Sequence, residues 1–445
     1  MKTTGNGVRR WKRYAEHKDS RVEWLGEIPR HWEVKRLKYL ADFIGGGTPS
    51  KDNLDFWNGN IPWVSPKDMK VGIIDDSEDH ITENAVKSSS TRMVPAQSVL
   101  TVVRSGILKH SIPTAINSRP VALNQDMKAI VPRSRYLPGY ISYFIMGRQK
   151  ELLVEWHKQG ATVDSLEFEL MTNTAFPVPE PQEQRVITAF LDRETSKIDT
   201  LVAKKERLIE LLCEKRAALI SHAVTQGIDP KVPMKDSGVE WLGKIPGNWE
   251  VIQSKRVFRV RNEPADESDG QLTASQKYGM LLQTDFVEIE GRRVVATIKG
   301  TDSLRHVEPN DFVISLRSFQ GGIEWCGLRG SVTFHYVVLK PVKAMNAAYF
   351  GFLLKSTAYI QALRSTTDFI RDGQDLRYSH FAQVPLPVVP LDEQAAIASF
   401  LHGATTKIDA LIAKVREAIE RLREYRTALI SAAVTGKIDL REEVA

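Results

Sequence analysis

Two loops of the sequence combine arginine with serine directly after a β-rich run. Arg104 and Ser105 follow one such run, Arg317 and Ser318 follow another, and both loops contain glycine. The planar guanidinium group of arginine suits bidentate hydrogen bonding to a phosphate or to a guanine edge. The pattern predicts nucleic-acid contacts from both loops. A solvated strand end is the simpler alternative for each arginine.

A second candidate contact is the glycine-rich turn 45–51, GGGTPSK. Its backbone amides and hydroxyl groups suit a close approach to a phosphate, and its lysine suits charge neutralisation. The residues predicted to make this contact are Gly46, Gly47, Thr48, Ser50 and Lys51. The alternative is that the glycines only shape a tight turn, while the tryptophans that follow fill the core.

The sequence lacks the motifs of common catalytic and cofactor sites. It has no GxxxxGK[ST] phosphate loop, no GxGxxG, HExxH or GxSxG motif, and no (D/N)PP(Y/F) tetrapeptide of the kind that amino-methyltransferases carry. The nuclease-like strings Asp68–Lys70 and Asp126–Lys128 are interpreted as a surface turn and a strand edge. Cys213 and Cys326 show no metal-ligand spacing. We therefore expect no catalysis, no metal and no cofactor bound by this chain.

The composition is that of an ordinary globular protein with a basic balance. The formal net charge is +6 and the pI is about 9.0, which fits a nucleic-acid partner without requiring one. No apolar run reaches the roughly 18 residues of a membrane span, and the basic N-terminus lacks the apolar core of an export signal. We expect no membrane contact and a cytoplasmic location.

The elements that position these loops occur twice. Residues 18–34 return as residues 235–251 with 13 of 17 positions identical, and residues 190–229 match residues 400–439 at 23 of 40 positions. The offset changes from 217 to 210, so the insertions and deletions lie between the matching segments. The chain is a tandem duplication in which each half has a diverged domain followed by a retained helix.

Apolar residues in both retained helices are spaced by three and four, which predicts the seam of a coiled coil. Each helix is expected to span about 30 residues and about 45 Å. We expect the two copies to pack against each other in antiparallel orientation. The predicted seam positions are Ile198, Leu201, Leu208, Leu212, Leu219, Ile408, Leu411, Val415, Leu422 and Leu429.

These motifs recur in a fixed order in both halves. WLGxIPxxWEV opens each half, a proline-rich entry followed by EQ leads into each helix, and KIDxLxxK lies early within it. Together they resemble the specificity subunit of type I restriction-modification enzymes over nearly the whole chain. The segment GGGTPS followed by FWNGNIPWVSPKDM is also similar to the beginning of many target-recognition domains of that family.

The resemblance implies an α+β fold with two pseudo-symmetric mixed α/β target-recognition domains, separated by two long helices that form an antiparallel coiled coil. The expected boundaries are a basic arm at 1–17, target-recognition domain 1 at 18–181, a central helix at 182–229, target-recognition domain 2 at 230–389, a C-terminal helix at 390–440 and a tail at 441–445.

The resemblance also implies a subunit that performs no catalysis and recognises double-stranded DNA. Each domain would recognise one half of a bipartite asymmetric site, and the helices would set the spacing. The implied partners are two methylation subunits and the restriction subunits, with S-adenosylmethionine, ATP and magnesium bound by those partners. A helical scaffold that binds no DNA is the alternative from another class.

Polar residues outside the predicted seam also match between the two helices. We interpret this retention as two equivalent docking surfaces for two methylation subunits; the alternative is a duplication too recent for these positions to have changed. The candidate docking residues are Lys197, Asp199, Lys204, Arg216, Lys407, Asp409, Lys414 and Arg426.

Overall fold

The computed structural model describes residues 11–133, 137–158, 160, 162–291, 304–315, 318–366 and 377–443. It divides into two compact units. The first contains Met1–Lys205 and Glu417–Ala445, and the second contains Glu206–Arg416. Both are mixed α/β, so the expected fold class is confirmed. Two long helices, named α5 and α11 below, each contribute one part to each unit.

Before its long helix, the part of the first unit that the structure describes contains thirteen short strands and four short helices. The strands are β1 His17–Asp19, β2 Glu27–Pro29, β3 Glu33–Arg36, β4 Ala41–Gly45, β5 Trp57–Val64, β6 Ile73–Ile74, β7 His80–Ile81, β8 Met93–Val94, β9 Val99–Val102, β10 Thr114–Asn117, β11 Val121–Leu123, β12 Met127–Pro132 and β13 Ala175–Val178. The helices are α1 Glu83–Ser88, α2 Leu137–Gly147, α3 Gln149–Trp156 and α4 Phe168–Asn173, and the long helix α5 Pro181–Gln226 follows.

The described residues of the second unit follow a similar plan with twelve strands. The strands are β14 Met234–Asp236, β15 Lys244–Pro246, β16 Glu250–Gln253, β17 Phe258–Val260, β18 Leu272–Ser275, β19 Gly279–Leu282, β20 Leu304–Val307, β21 Phe312–Ile314, β22 Glu324–Trp325, β23 Gly330–Thr333, β24 Val337–Pro341 and β25 Pro385–Val388. The helices are α6 Gln283–Glu290, α7 Ser318–Gly321, α8 Ala347–Leu353, α9 Thr357–Arg364, α10 Tyr378–Gln383 and the long helix α11 Leu391–Val434.

One sheet has a corresponding strand order in both units, whereas the other sheets differ between them. The order β4-β12-β9-β10 in the first unit corresponds to β17-β24-β21-β22 in the second. In the first unit Pro132 of β12 pairs with Ala41 at the start of β4, and in the second unit Pro341 of β24 pairs with Phe258 at the start of β17. The first unit adds a sheet β7-β5-β11-β8, whereas the second has two-stranded pairs β18-β19 and β20-β23. Divergence is therefore concentrated beyond the shared sheet.

Both long helices exceed the expected length of about 30 residues. α5 has 46 residues and α11 has 44, because each begins directly at the end of its proline-rich entry rather than near the first apolar seam position. Pro181 is the first residue of α5, where its missing N–H and fixed φ suit the first turn. In the second copy, Leu391 begins α11 after Pro390.

Within each unit, α5 and α11 are antiparallel. In the second unit, the end of α5 at Ile220 and Val224 shares a core with the beginning of α11 at Ile397 and Leu401. In the first unit, the beginning of α5 at Ile187 and Leu191 shares a core with the end of α11, including Ile430 and Val434.

Two ion pairs connect the helices in pseudo-symmetric positions. Arg426 pairs with Asp199 in the first unit at 2.9 Å, and Arg216 pairs with Asp409 in the second at 3.1 Å. A parallel arrangement of equivalent positions would place arginine opposite arginine and aspartate opposite aspartate, which is electrostatically unfavourable. These pairs therefore favour the antiparallel orientation.

The seam follows a different phase from the predicted one. Seven of the ten predicted positions are buried or partly buried, but Leu201, Leu208 and Leu411 are 47%, 40% and 44% exposed. The buried and partly buried stripe on each helix instead advances by four residues and then by three. Its members are Ile198, Val202, Lys205, Ile209, Leu212 and Arg216 on α5, and Ile408, Ile412, Val415, Ile419, Leu422 and Arg426 on α11.

We predict that truncation of two adjacent residues of α11 changes the unfolding free energy by very different amounts. Ile412 is 6% exposed, so Ile412→Ala removes buried apolar atoms and should cost about 2 to 5 kcal/mol of unfolding free energy. Leu411→Ala, the matched control, should change it by about 0.5 kcal/mol or less because Leu411 is exposed. Urea unfolding of both variants measures the difference, and equal losses would contradict the observed seam phase.

Candidate nucleic-acid interface

The glycine-rich turn after β4 is packed against the protein itself. The amide of Gly46 donates to the carbonyl of Met127 at 3.3 Å, and the amide of Gly47 donates to the carbonyl of Leu123 at 2.8 Å. A Cβ added at Gly46 would lie 1.9 Å from the carbonyl oxygen of Asn124. Close packing on the β11–β12 turn therefore requires glycine at position 46, and the amides of both glycines are already engaged.

The rest of this turn is held by tryptophans and faces solvent. Trp63 Nε1 donates to the carbonyl of Gly47, and Trp57 Nε1 donates to that of Ser50, both at 3.0 Å. Ser50 and Lys51 are exposed. Lys51 has no ion pair within the part of the chain that the structure describes. Among the residues of this turn that are predicted to contact phosphate, Ser50 and Lys51 thus have side chains that a ligand can reach.

The β11–β12 turn brings Arg104 to the glycine-rich turn. Arg104 Nε donates to Asp126 Oδ1 at 2.6 Å, and the carbonyl of Asp126 accepts from the amide of Val103 at 2.8 Å. The neighbouring Gln125 accepts a hydrogen bond from Thr48. Although its Nε is engaged, the Arg104 side chain is 52% exposed. The structure therefore places two separately predicted contacts on either side of one turn.

A hydroxyl-rich loop adjoins the same surface and was not predicted. A Cβ at Gly47 would lie 2.6 Å from Ser90 Oγ, so the loop 88–92 is in direct contact with the glycine-rich turn. Within this loop Arg92 is exposed. The sequence SSSTR was the available signal, because clustered hydroxyls beside arginine suit phosphate contacts.

The predicted serines have structural roles. Ser105 Oγ accepts from the amide of Ile107 at 3.4 Å at the beginning of a short 3-10 turn. Ser318 is fully buried, and its Oγ accepts from the amide of Ser315 at 2.9 Å, so its side chain is not presented to a ligand. Its predicted neighbour Arg317 lies outside the described residues.

Each helix entry is anchored by the glutamate and glutamine of its EQ pair. Glu183 accepts hydrogen bonds from Tyr14 at 2.6 Å and contacts His31 Nε2 at 2.8 Å. The equivalent Glu393 accepts from Trp249 Nε1 at 2.8 Å. Gln184 donates to the carbonyl of Pro179 at 2.7 Å, as Gln394 does to that of Val389. The glutamate thus attaches the opening block of each half to its helix, and the glutamine holds the helix entry.

A buried tyrosine caps the end of each long helix. Tyr140 donates to the carbonyl of Val434 at 3.0 Å, and Tyr349 donates to the carbonyl of Val224 at 2.9 Å. Burial raises the pKa of both hydroxyl groups well above the usual value, which keeps them as neutral donors. Each domain therefore holds the last turn of the helix that comes from the other half of the sequence.

A histidine between two carboxylates stabilises the diverged part of the second unit. His306 Nδ1 lies 2.5 Å from Asp269 and its Nε2 lies 2.7 Å from Glu308. Burial alone would lower the pKa of His306, but the hydrogen bonds and charges of the two carboxylates outweigh it and raise the pKa. The contact between His306 and Asp269 ties the Asp269 turn to β20.

The candidate docking residues divide into two groups. Asp199, Arg216, Asp409 and Arg426 form the ion pairs between the helices, so their retention has an intramolecular reason. Lys197 is 59% exposed beside Glu194, and the remaining three lysines are exposed without an ion pair among the described residues. The second group thus consists of four exposed lysines, Lys197, Lys204, Lys407 and Lys414.

Metal-ligand clusters and membrane-spanning helices are both absent from the described residues. No group of three or more His, Cys, Asp or Glu side chains is arranged to hold a metal ion there. Within the same residues, no helix combines the length and apolarity that membrane crossing requires.

The described residues thus form two non-identical α/β domains on a duplicated frame, and in the first of them exposed cations lie around the β11–β12 turn. The family described as Type I restriction modification DNA specificity domain matches residues 29–211 and 246–421. The chain belongs to this family.

Individual relatives agree with this assignment. The chain is 40% identical over 204 residues to the EcoR124I/EcoR124II specificity subunit of Escherichia coli, a match that spans 45% of this chain and 50% of that protein. It is 24% identical over 440 residues to the MjaIX specificity subunit of Methanocaldococcus jannaschii, covering 94% of this chain and 96% of the relative.

One solved structure shares the fold. It belongs to a study of complex assembly and conformational transition of the type I R-M system, and it matches with a TM-score of 0.67 at 15% sequence identity. The match covers 92% of this chain and 99% of the other. At that level of identity the likeness concerns the fold alone.

Proposed function

We propose that this chain is the sequence-specific DNA-recognition subunit of a type I restriction-modification enzyme. The observation that carries the proposal is the contrast between the halves: the sheet β4-β12-β9-β10 and both helices recur, while the second sheets differ. A protein that recognises one asymmetric site in two parts needs this combination, because its two half-sites differ in sequence while its frame does not.

In domain 1, the exposed surface around the β11–β12 turn supports DNA contact. Arg104 and Lys51 supply positive charge there, and Ser50 supplies a hydroxyl group. Arginine beside hydroxyl groups suits the phosphate contacts that position a protein on DNA. We assign base recognition to the loops of the diverged sheets, and the separation of the two half-sites to the two helices.

The proposed subunit performs no catalysis itself. It would recruit two methylation subunits that methylate adenine, and restriction subunits would join for cleavage. S-adenosylmethionine, ATP and magnesium would be bound by those partners. The location proposed for this assembly is the cytoplasm.

A genome-wide map of methylated adenines tests the DNA-recognition proposal. We expect deletion of the gene to abolish methylation at one split motif with a fixed gap, and complementation with the wild-type gene to restore it. Unchanged methylation would contradict the proposal. The scaffold alternative predicts no sequence-selective duplex binding, and a band-shift assay with the methylation subunits present distinguishes it.

Exposed leucines suggest where the two methylation subunits dock. Leu201 and Leu411 are equivalent, identical and nearly half exposed, and each is followed one turn later by an exposed lysine, Lys204 or Lys414. Solvated apolar residues need not match between copies, so a protein partner explains the retention. We place one docking surface at Leu201 and Lys204, and an equivalent one at Leu411 and Lys414.

A stoichiometry measurement tests the docking surfaces. We expect Leu411→Ser combined with Lys414→Glu to reduce the bound methylation subunits from two to one, because it removes one of two equivalent surfaces. Arg416→Glu is the matched control, since the first copy already has glutamate at the equivalent position, Glu206. Mass photometry of the assembled complex gives the count, and two bound subunits in the double variant would refute this placement.

A further inference from the structure

Among the residues that the structure describes, one lysine of the central sheet of domain 1 forms no ion pair. Lys128 lies on β12, where its register partners are Gly45 on β4 and Thr101 on β9. Neither carries a charge. Two acids of neighbouring segments are engaged elsewhere. Asp126, two residues earlier, accepts from Arg104, and Glu167, directly before Phe168 in the sequence, lies 3.5 Å from Lys158.

The ammonium group of Lys128 is placed over an aromatic ring. Its Nζ lies 4.4 Å from the ring centroid of Phe168, which is within cation–π distance. Phe43 packs edge-on against the same ring, with centroids 5.4 Å apart and an interplanar angle of 86°. Phe168 is nevertheless 40% exposed, so the held ring forms part of the surface.

The charge of Lys128 is only partly solvated and is not compensated by a carboxylate. Burial lowers the pKa of Lys128, and no charge in the described part of the chain opposes this shift. A half-buried ammonium without a counter-ion is unfavourable, and an approaching anion would relieve that cost. The cation–π contact alone replaces only part of the lost hydration.

The glycine next to Lys128 leaves room for its side chain. A Cβ added at Gly45 would lie 3.6 Å from Lys128 Nζ, so a longer side chain at this position would compete with the ammonium group for the same space. Lys128 is also two residues beyond Asp126, which holds Arg104. Lys128 thus lies on the strand that leaves the turn of the candidate interface.

We propose that Lys128 is a DNA phosphate contact of domain 1, with Phe168 as the platform that orients its ammonium group. This inference rests on the proposed function, and it adds a residue that the short string 126–128 did not identify. Arg104 and Lys128 would contact the backbone from the two sides of the β11–β12 turn. The contact positions the domain and carries no base preference of its own.

The salt dependence of DNA binding tests this contact. The chain is assembled with its methylation subunits and titrated with duplexes carrying the motif found by methylation mapping, at several salt concentrations. We expect Lys128→Gln to weaken binding about tenfold and to reduce the log–log salt slope by about one, because one phosphate contact is lost. Lys128→Arg keeps the charge and should restore the wild-type slope.

Lys150→Gln is the matched control, because Lys150 is exposed on α3, away from this turn in the sequence, and should leave affinity and slope unchanged. Unfolding of Lys128→Gln should match wild type, since the variant removes a charge that burial disfavours. A wild-type salt slope in Lys128→Gln overturns the assignment of Lys128 to a phosphate. If the preferred half-site changes while the slope stays that of wild type, Lys128 contacts a base, and the assignment is overturned as well. A wild-type complex that binds no duplex selectively overturns the proposed function as well.

Discussion

The structure depends on the way each long helix ends inside a domain. The last carbonyl groups of a helix have no partner within it and must be satisfied when they are buried. Tyr140 supplies the donor for α11 and Tyr349 supplies it for α5. Since each tyrosine belongs to the other half of the sequence from the helix it caps, neither half can complete its own core alone.

This constraint explains which segments of the duplicated chain stayed alike. The opening block of each half surrounds a buried tryptophan, Trp32 or Trp249, which packs in the same core as the capped helix end. The EQ glutamates attach that block to the beginning of the neighbouring helix. In each unit, a change in the opening block or in the EQ glutamate would disturb the core that holds the beginning of one long helix and the end of the other. The second sheet of each domain lies outside this arrangement and has diverged.

The sequence predicted which elements form better than it predicted the phase of the seam between the long helices. The doubled motifs led to the two domains and both helices, because repeated segments of one chain adopt the same structure. The seam phase was not accessible, since both helices carry two apolar stripes one residue apart. Burial favours the stripe with Ile412 and Ile419, and the ion pairs of Arg216 and Arg426 belong to the same phase.

The candidate site was predictable only in part. Arg104 and the glycine-rich turn stood out by residue type. Their common neighbour, the β11–β12 turn, could not be identified, since the pairing of β11 and β12 with distant strands brings it there. The same limit applies to the glycines. Their composition suggested phosphate binding, whereas the space beside Gly46 is filled by the backbone of Asn124.

Domain exchange tests the central claim most directly, namely that each diverged domain recognises its own half-site on a shared frame. The segment 35–181 is replaced with the corresponding segment of a relative of different specificity, and methylated adenines are mapped. The account predicts that one half of the split motif changes while the other half and the gap remain. A change in both halves, or a changed gap with the helices intact, would contradict it.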